Sequence, residues 1–108
     1  MNTNNEFNIN KFKSIKNPIV LDFTGCETLG EIHRILKENF GFPEYYGENW
    51  DALWDCLDGL FLDLGNYTVQ IFGFDTLEEK LGNECLSMLE IFNEIQIKFP
   101  TVAFEMII

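Results

Sequence analysis

Three carboxylates, Asp51, Asp55 and Asp58, recur at i, i+4 and i+7, a spacing that stacks them on one side of a helix. Such a face can do two kinds of chemistry. It can hold a divalent cation such as Mg²⁺ for phosphoryl transfer, or it can meet the cationic groups of another macromolecule. The first use needs a Lys, Arg or Ser nearby to hold a phosphate or act as nucleophile, and none occurs between Glu38 and Glu79. The same gap leaves the three acids without a base to pair them. Each like-charged i, i+4 pair costs roughly 0.2–0.5 kcal/mol on a helix. Asp51 sits near the helix start, where the macrodipole favours a negative charge; Asp55 and Asp58 sit toward the end, where it does not. Asp is also a middling helix former. A face that breaks local rules in this way marks a surface built to capture something basic.

Aromatic residues frame these acids. Trp50 and Trp54 flank the acidic face, and Tyr45 and Tyr46 precede Gly47 just upstream. Tyr and Trp supply large contact area and dominate interface hot spots. An acidic helix face is by itself more often a solvated face, and a half-buried Trp is more often core. The combination with a base-free stretch of chain is what points to recognition. A purely structural domain would leave the unpaired Asp face unexplained.

The elements that position this face follow from periodicity. Leu53, Cys56, Leu57 and Leu60 recur as a buried helical stripe opposite the acids. Asn49 is the expected N-cap, and the helix is expected to end near Gly59, with residues 60–66 apolar and then turn-like. Upstream, residues 19–23 read as a strand closed by Thr24-Gly25. Thr28 and Glu31 have the spacing of a capping box; Leu29, Ile32, Leu36 and Phe40 then form a helical stripe ending at Gly41. His33 lies on this helix without a second His, Cys or acid at ligand spacing, and reads as a surface or boundary residue. Residues 67–72 form a strand rich in β-branched and aromatic side chains. Residues 75–81 form a short helix, Gly82-Asn83 interrupts it, and a longer helix runs over 83–97 until Phe99-Pro100 stops it. Residues 101–108 are a largely apolar, and so buried, final strand. Residues 1–18 read as a flexible polar tail holding Lys11, Lys13 and Lys16, with Phe7, Ile9, Phe12 and Ile15 able to add an edge strand or turn. Strand, two helices, strand, two helices, strand implies helical crossovers and parallel pairing. The expected fold is α/β: two layers, with helices packed on a three-stranded parallel sheet, over residues 19–108.

Composition narrows the partner. The 108 residues carry a formal net charge of −11, with 46% hydrophobic content and 11 Phe. That is core enough for one domain and a strong long-range pull on basic molecules. The charge argues against nucleic acid, whose phosphates need Lys and Arg, and against anionic membranes. No stretch approaches the roughly 20 apolar residues of a membrane span, and the first residues lack the basic-then-apolar order of a signal peptide. Cys26, Cys56 and Cys85 form an odd set without metal spacing, expected as free thiols in a reducing cytoplasm. No cofactor, metal site or catalytic activity is expected.

The motif Pro43-Glu-Tyr-Tyr-Gly-Glu-Asn49, followed by Asp51-Ala-Leu-Trp-Asp-Cys-Leu57, closely resembles the barstar family of bacterial intracellular inhibitors of the extracellular ribonuclease barnase. Weaker likeness runs from about Ile19 to Ile108, in Ile32-His33, the element order and the last strand. The resemblance implies an inhibitor that plugs a ribonuclease active site in a one-to-one complex. It implies that Asp55 mimics a substrate phosphate among the enzyme's Arg and His residues. Asp51 and Asn49 would add polar contacts, Tyr45 would pack on the catalytic His, and Gly47 would allow close backbone approach. Trp54 would support the surface, Gly59 would border it, and Glu94 would contribute an acid from the last long helix. The chain departs from the family pattern at Trp50, Asp58 and Leu60, all at the edge of this face. The residues alone also admit an acidic binding module, immunity- or antitoxin-like, for a different basic protein.

Overall fold

The computed structural model describes residues 16–63 and 65–108. The strand-or-turn reading of Phe7, Ile9, Phe12 and Ile15 falls outside them. Among the described residues three strands and four helices follow in the order β1 (Ile19–Asp22), α1 (Leu29–Phe40), α2 (Trp50–Asp63), β2 (Tyr67–Phe72), α3 (Phe74–Leu81), α4 (Asn83–Lys98) and β3 (Val102–Ile107). The strands lie in sequence order, β1-β2-β3, and both pairings are parallel. The expected two-layer α/β architecture is the one found.

Register decides which side chains meet the helices. Ile19 pairs with Val69 and Leu21 with Ile71, and all four are buried. The intervening Val20 and Asp22 are exposed, as period-2 alternation requires when only one face of a sheet is covered. The helices bring Ile32, Leu36, Phe40, Leu53, Leu57, Phe61, Met88, Phe92 and Ile95 onto that face. Phe40 is at their meeting point: its ring lies 5.4 Å from Phe42, stacked, and meets Phe61 and Phe92 edge-on at 6.2 and 6.4 Å. Fully burying each such side chain contributes about 1.5–3 kcal/mol.

Local chemistry sets the boundaries. The Thr28–Glu31 capping box forms in full, and Gly41 ends α1 at φ 69° with its N–H returned to the Lys37 carbonyl. Asn17 ties the chain entering β1 to its neighbour, accepting from Thr68 N at 3.0 Å and donating to the Asn66 carbonyl at 3.4 Å.

Two expectations are corrected. α2 does not end near Gly59 but continues to Asp63. Leu60 and Phe61 extend the buried stripe by another turn, and that packing outweighs the roughly 1 kcal/mol a mid-helix Gly costs. The last strand is not buried: of β3 only Val102 is, and Met106 is 43% exposed. β3 lies at the sheet edge, where an apolar run is covered on one side only; its Phe104 N–H is taken by the Gln96 side chain at 2.9 Å.

Candidate functional site

α2 has one face in the core and one in solvent. Leu53, Leu57, Leu60 and Phe61 are buried, while Asp51 and Asp55 are exposed. Neither acid has a hydrogen-bond or ion-pair partner among the described residues. Gly59, a turn beyond Asp55 on the same side, presents no side chain, so the surface beside that carboxylate stays flat.

The loop entering α2 is built from both ends. Asn49 caps the helix, its Oδ1 accepting from Ala52 N at 2.8 Å, and its Nδ2 donates back to the Gly47 carbonyl at 3.2 Å. Its side chain thus fixes the loop geometry and keeps one amide hydrogen for a partner. A Cβ on Gly47 would lie 3.3 Å from Asn49 Nδ2 and 3.4 Å from the Ala52 methyl, so any side chain there presses on the cap. Between them Glu48 is held at φ 51°, a left-handed conformation uncommon for a residue with a side chain. Tyr45 projects from the loop, 72% exposed.

Tyr46 turns the other way. It is buried, and its hydroxyl meets His33 Nδ1 at 2.7 Å. His33 is therefore not the surface or boundary residue expected from its isolation in sequence. It is 4% exposed, with its ring tilted against Trp50 at 4.7 Å. Burial pushes its imidazole below the ordinary value, and Glu48 and Glu84 pull it part of the way back. Burial likewise raises the Tyr46 phenol well above its usual range. This pair joins α1 to the loop beneath Tyr45. A histidine one helix away from a tyrosine pair leaves no periodic signal in the sequence.

The two Trp side chains strap α2 to α4. Trp50 Nε1 donates to Glu84 Oε1 at 2.9 Å, and Trp54 Nε1 to Glu94 Oε1 at 3.0 Å. Both rings are half-buried against the core. Glu94 is thereby held beside the acidic helix, and Trp54 is the bridge between them.

Asp58 departs from the expectation of a wholly unpaired acidic face. Lys98, from the last turn of α4, approaches its Oδ1 at 2.6 Å. That oxygen is sealed from solvent and lies off the line of a regular hydrogen bond to the ammonium, so the contact is an ion pair rather than a directed bond. The spacing of the Asp residues could not reveal a base forty positions later. Leu62, one turn beyond, is 71% exposed and gives this face an apolar tip; it was hidden from the sequence by the early end assigned to the helix.

Among the described residues no group of three or more His, Cys, Asp or Glu is placed to hold a metal ion. No helix among them is long and apolar enough to cross a membrane. Cys26, Cys56 and Cys85 form no disulfide; Cys56 is half-buried at the margin of the α2 stripe rather than inside it.

What remains is an acidic surface, Asp51 and Asp55 on α2, with an exposed tyrosine beside it. A family model described as "Barstar (barnase inhibitor)" matches residues 17–106. The protein "Putative ribonuclease inhibitor YrdF" of Bacillus subtilis (strain 168) is 38% identical over 78 residues, 72% of this chain and 84% of that protein. Since the family match runs from ahead of β1 into β3 and includes the whole loop and acidic helix, the chain belongs to the barstar family.

Proposed function

We propose that this chain is a cytoplasmic inhibitor of a basic, barnase-type extracellular ribonuclease, binding it one-to-one and filling its active site with the loop before α2 and the exposed face of α2. The carrying observation is the pair Asp51 and Asp55: exposed, without partners among the described residues, on a helix whose opposite face is locked in the core. A ribonuclease site must be cationic to hold a phosphodiester and stabilise its developing charge. A fixed carboxylate enters such a site as phosphate does but offers no bond to cleave. Asp55 takes that role; Asp51 and the free amide hydrogen of Asn49 add polar contacts. Tyr45 packs on the catalytic His, the Gly47 backbone approaches closely, and Gly59 leaves room beside Asp55. Trp54 and Glu94 hold the α4 flank, Glu94 adding an acid. No catalysis by this chain is needed.

The family membership and the name of the Bacillus subtilis relative support this reading. RNA cleavage by barnase, titrated with the purified chain, tests it: activity should fall to zero at one equivalent, with a 1:1 complex on size exclusion. Full cleavage in the presence of excess chain, both for barnase and for the basic ribonucleases secreted by the source cell, would sink it.

A further inference from the structure

We infer that Lys98 determines which ribonucleases this surface accepts, by setting a cation at the α4 rim of an otherwise acidic face. The inference rests on the inhibitor reading and deepens it. Lys98 Nζ sits 2.6 Å from Asp58 Oδ1, 5.3 Å from the Trp54 ring centroid and 5.6 Å from that of Phe99. The side chain is 50% exposed, so it is held in place yet open to a partner. It lies one turn after Glu94 on α4, and Asp58 lies one turn after Trp54 on α2. Two rungs therefore connect the helices. The first, Trp54–Glu94, leaves the face acidic; the second, Asp58–Lys98, cancels an acid and shows a cation.

The acidic strip thus ends between Asp55 and Asp58. A partner whose basic patch covers Asp51, Asp55 and Glu94 docks without penalty. One whose Lys or Arg residues continue past Asp55 meets Lys98, with the ammonium already fixed by Asp58 and the Trp54 ring. Like charges juxtaposed at an interface suppress wrong partners. The complementary ribonuclease should carry a neutral or acidic group opposite Lys98.

Association and dissociation rates with barnase, for the wild-type chain, Lys98→Glu and Lys80→Glu, test this. Lys80, on the short helix α3, pairs with Glu27 ahead of α1, and its reversal changes net charge by the same amount away from α2 and α4. Lys98→Glu should tighten binding by about tenfold or more, because a like-charge contact at an interface carries a penalty of that order and the substitution removes it. Lys80→Glu should alter only association, and by less than about threefold at physiological salt. Should Lys98→Glu fail to fold, Asp58→Asn/Lys98→Gln removes the cation and its counter-charge together and keeps the net charge; it too should tighten binding. Equal effects of Lys98→Glu and Lys80→Glu on both rates would overturn the inference and leave inhibition standing. Binding of barnase by none of these proteins would overturn it together with the choice of barnase-type enzymes as targets.

Discussion

Replacing Asp55 by Asn should move stability and affinity in opposite directions. The carboxylate is exposed and has no partner among the described residues, so the fold loses no attraction when its charge is removed. It does lose repulsion. Asp51 lies four residues before it and Asp58 three after, each like-charged pair costing roughly 0.2–0.5 kcal/mol; Lys98 already offsets the charge of Asp58. Asn and Asp have similar helix propensities, so the net gain is on the order of 0.2–0.8 kcal/mol, or roughly 1–6 °C in Tm for a domain of this size. In the complex the sign reverses. Removing one member of a desolvated charge pair, those of barnase–barstar included, typically costs 2–5 kcal/mol because the enzyme's cation stays buried and unpaired. Thermal unfolding of the free protein and inhibition titrations on the same preparation would read both quantities. A lower Tm would mean that Asp55 supports the fold; unchanged inhibition would mean that it does not meet a cation. Either result refutes the assignment of Asp55 as the central contact.

His33 should cost stability as pH falls. Its folded value lies below the ordinary 6.5, so the unfolded chain takes up the proton first, and stability declines as pH drops through 6.5 toward the folded value. Urea unfolding at pH 7.5 and 5.5 should show this decline in the wild type and not in His33→Gln, which keeps a polar partner for Tyr46. The depressed carboxyls of Glu31 and Asp22 contribute only lower down, as pH approaches their ordinary values of 4.5 and 3.8. Gly73→Ala should destabilise by about 2–4 kcal/mol, since the residue is left-handed and the new methyl overpacks its neighbour; the Cβ would fall 2.5 Å from Thr24 N. An unfolding midpoint close to the wild-type one would refute that packing. Raising salt from 0.05 to 0.5 M should slow association with the ribonuclease far more than it speeds dissociation, read by stopped-flow fluorescence; a salt-independent association rate would remove electrostatic steering.

The elements with strong local codes were legible: the Thr28–Glu31 box, the Gly41 terminus, the Asn49 cap and the alternation in β1 all act over a few residues. What escaped depended on distant chain. Gly59 reads as a terminus until Leu60 is seen buried and Phe61 packed against Phe40 and Tyr67. The apolar run after Pro100 reads as buried because sequence cannot tell a central parallel strand from an edge one. His33 has no ligand-like neighbours in sequence, yet the loop folds Tyr46 and Trp50 onto it. The site shows the same division. Tyr45, Gly47, Asn49, Asp51 and Asp55 lie within a dozen residues and are visible as a motif, whereas the pairing of Asp58 with Lys98 and of Trp54 with Glu94 requires α2 and α4 to be packed side by side.

That packing explains how an unfavourable face can persist on a helix that must stay rigid. Asp51 and Asp55 repel each other, and α2 has no basic residue in its last turn to complement its dipole. Its order comes from the other side: a four-residue buried stripe, an N-cap bonded in both directions, and Trp50 and Trp54 tied to acids of α4. The two indole N–H groups do more than anchor. By donating to Glu84 and Glu94 they fix carboxylates close to a helix that is already acidic, which a merely structural strap would avoid. On the inhibitor proposal, holding the charges in place before the partner arrives reduces the entropy lost on docking, and the repulsion carried by the free protein is returned when a cation neutralises it. On this view Trp54→Phe, which keeps an aromatic ring at the position but lacks the indole N–H that holds Glu94, should leave association nearly unchanged, because the net charge is the same. It should speed dissociation, because one acid is no longer held in position. A faster off-rate without a change in on-rate is what preorganisation predicts; a change in on-rate alone would mean that the strap matters only through charge.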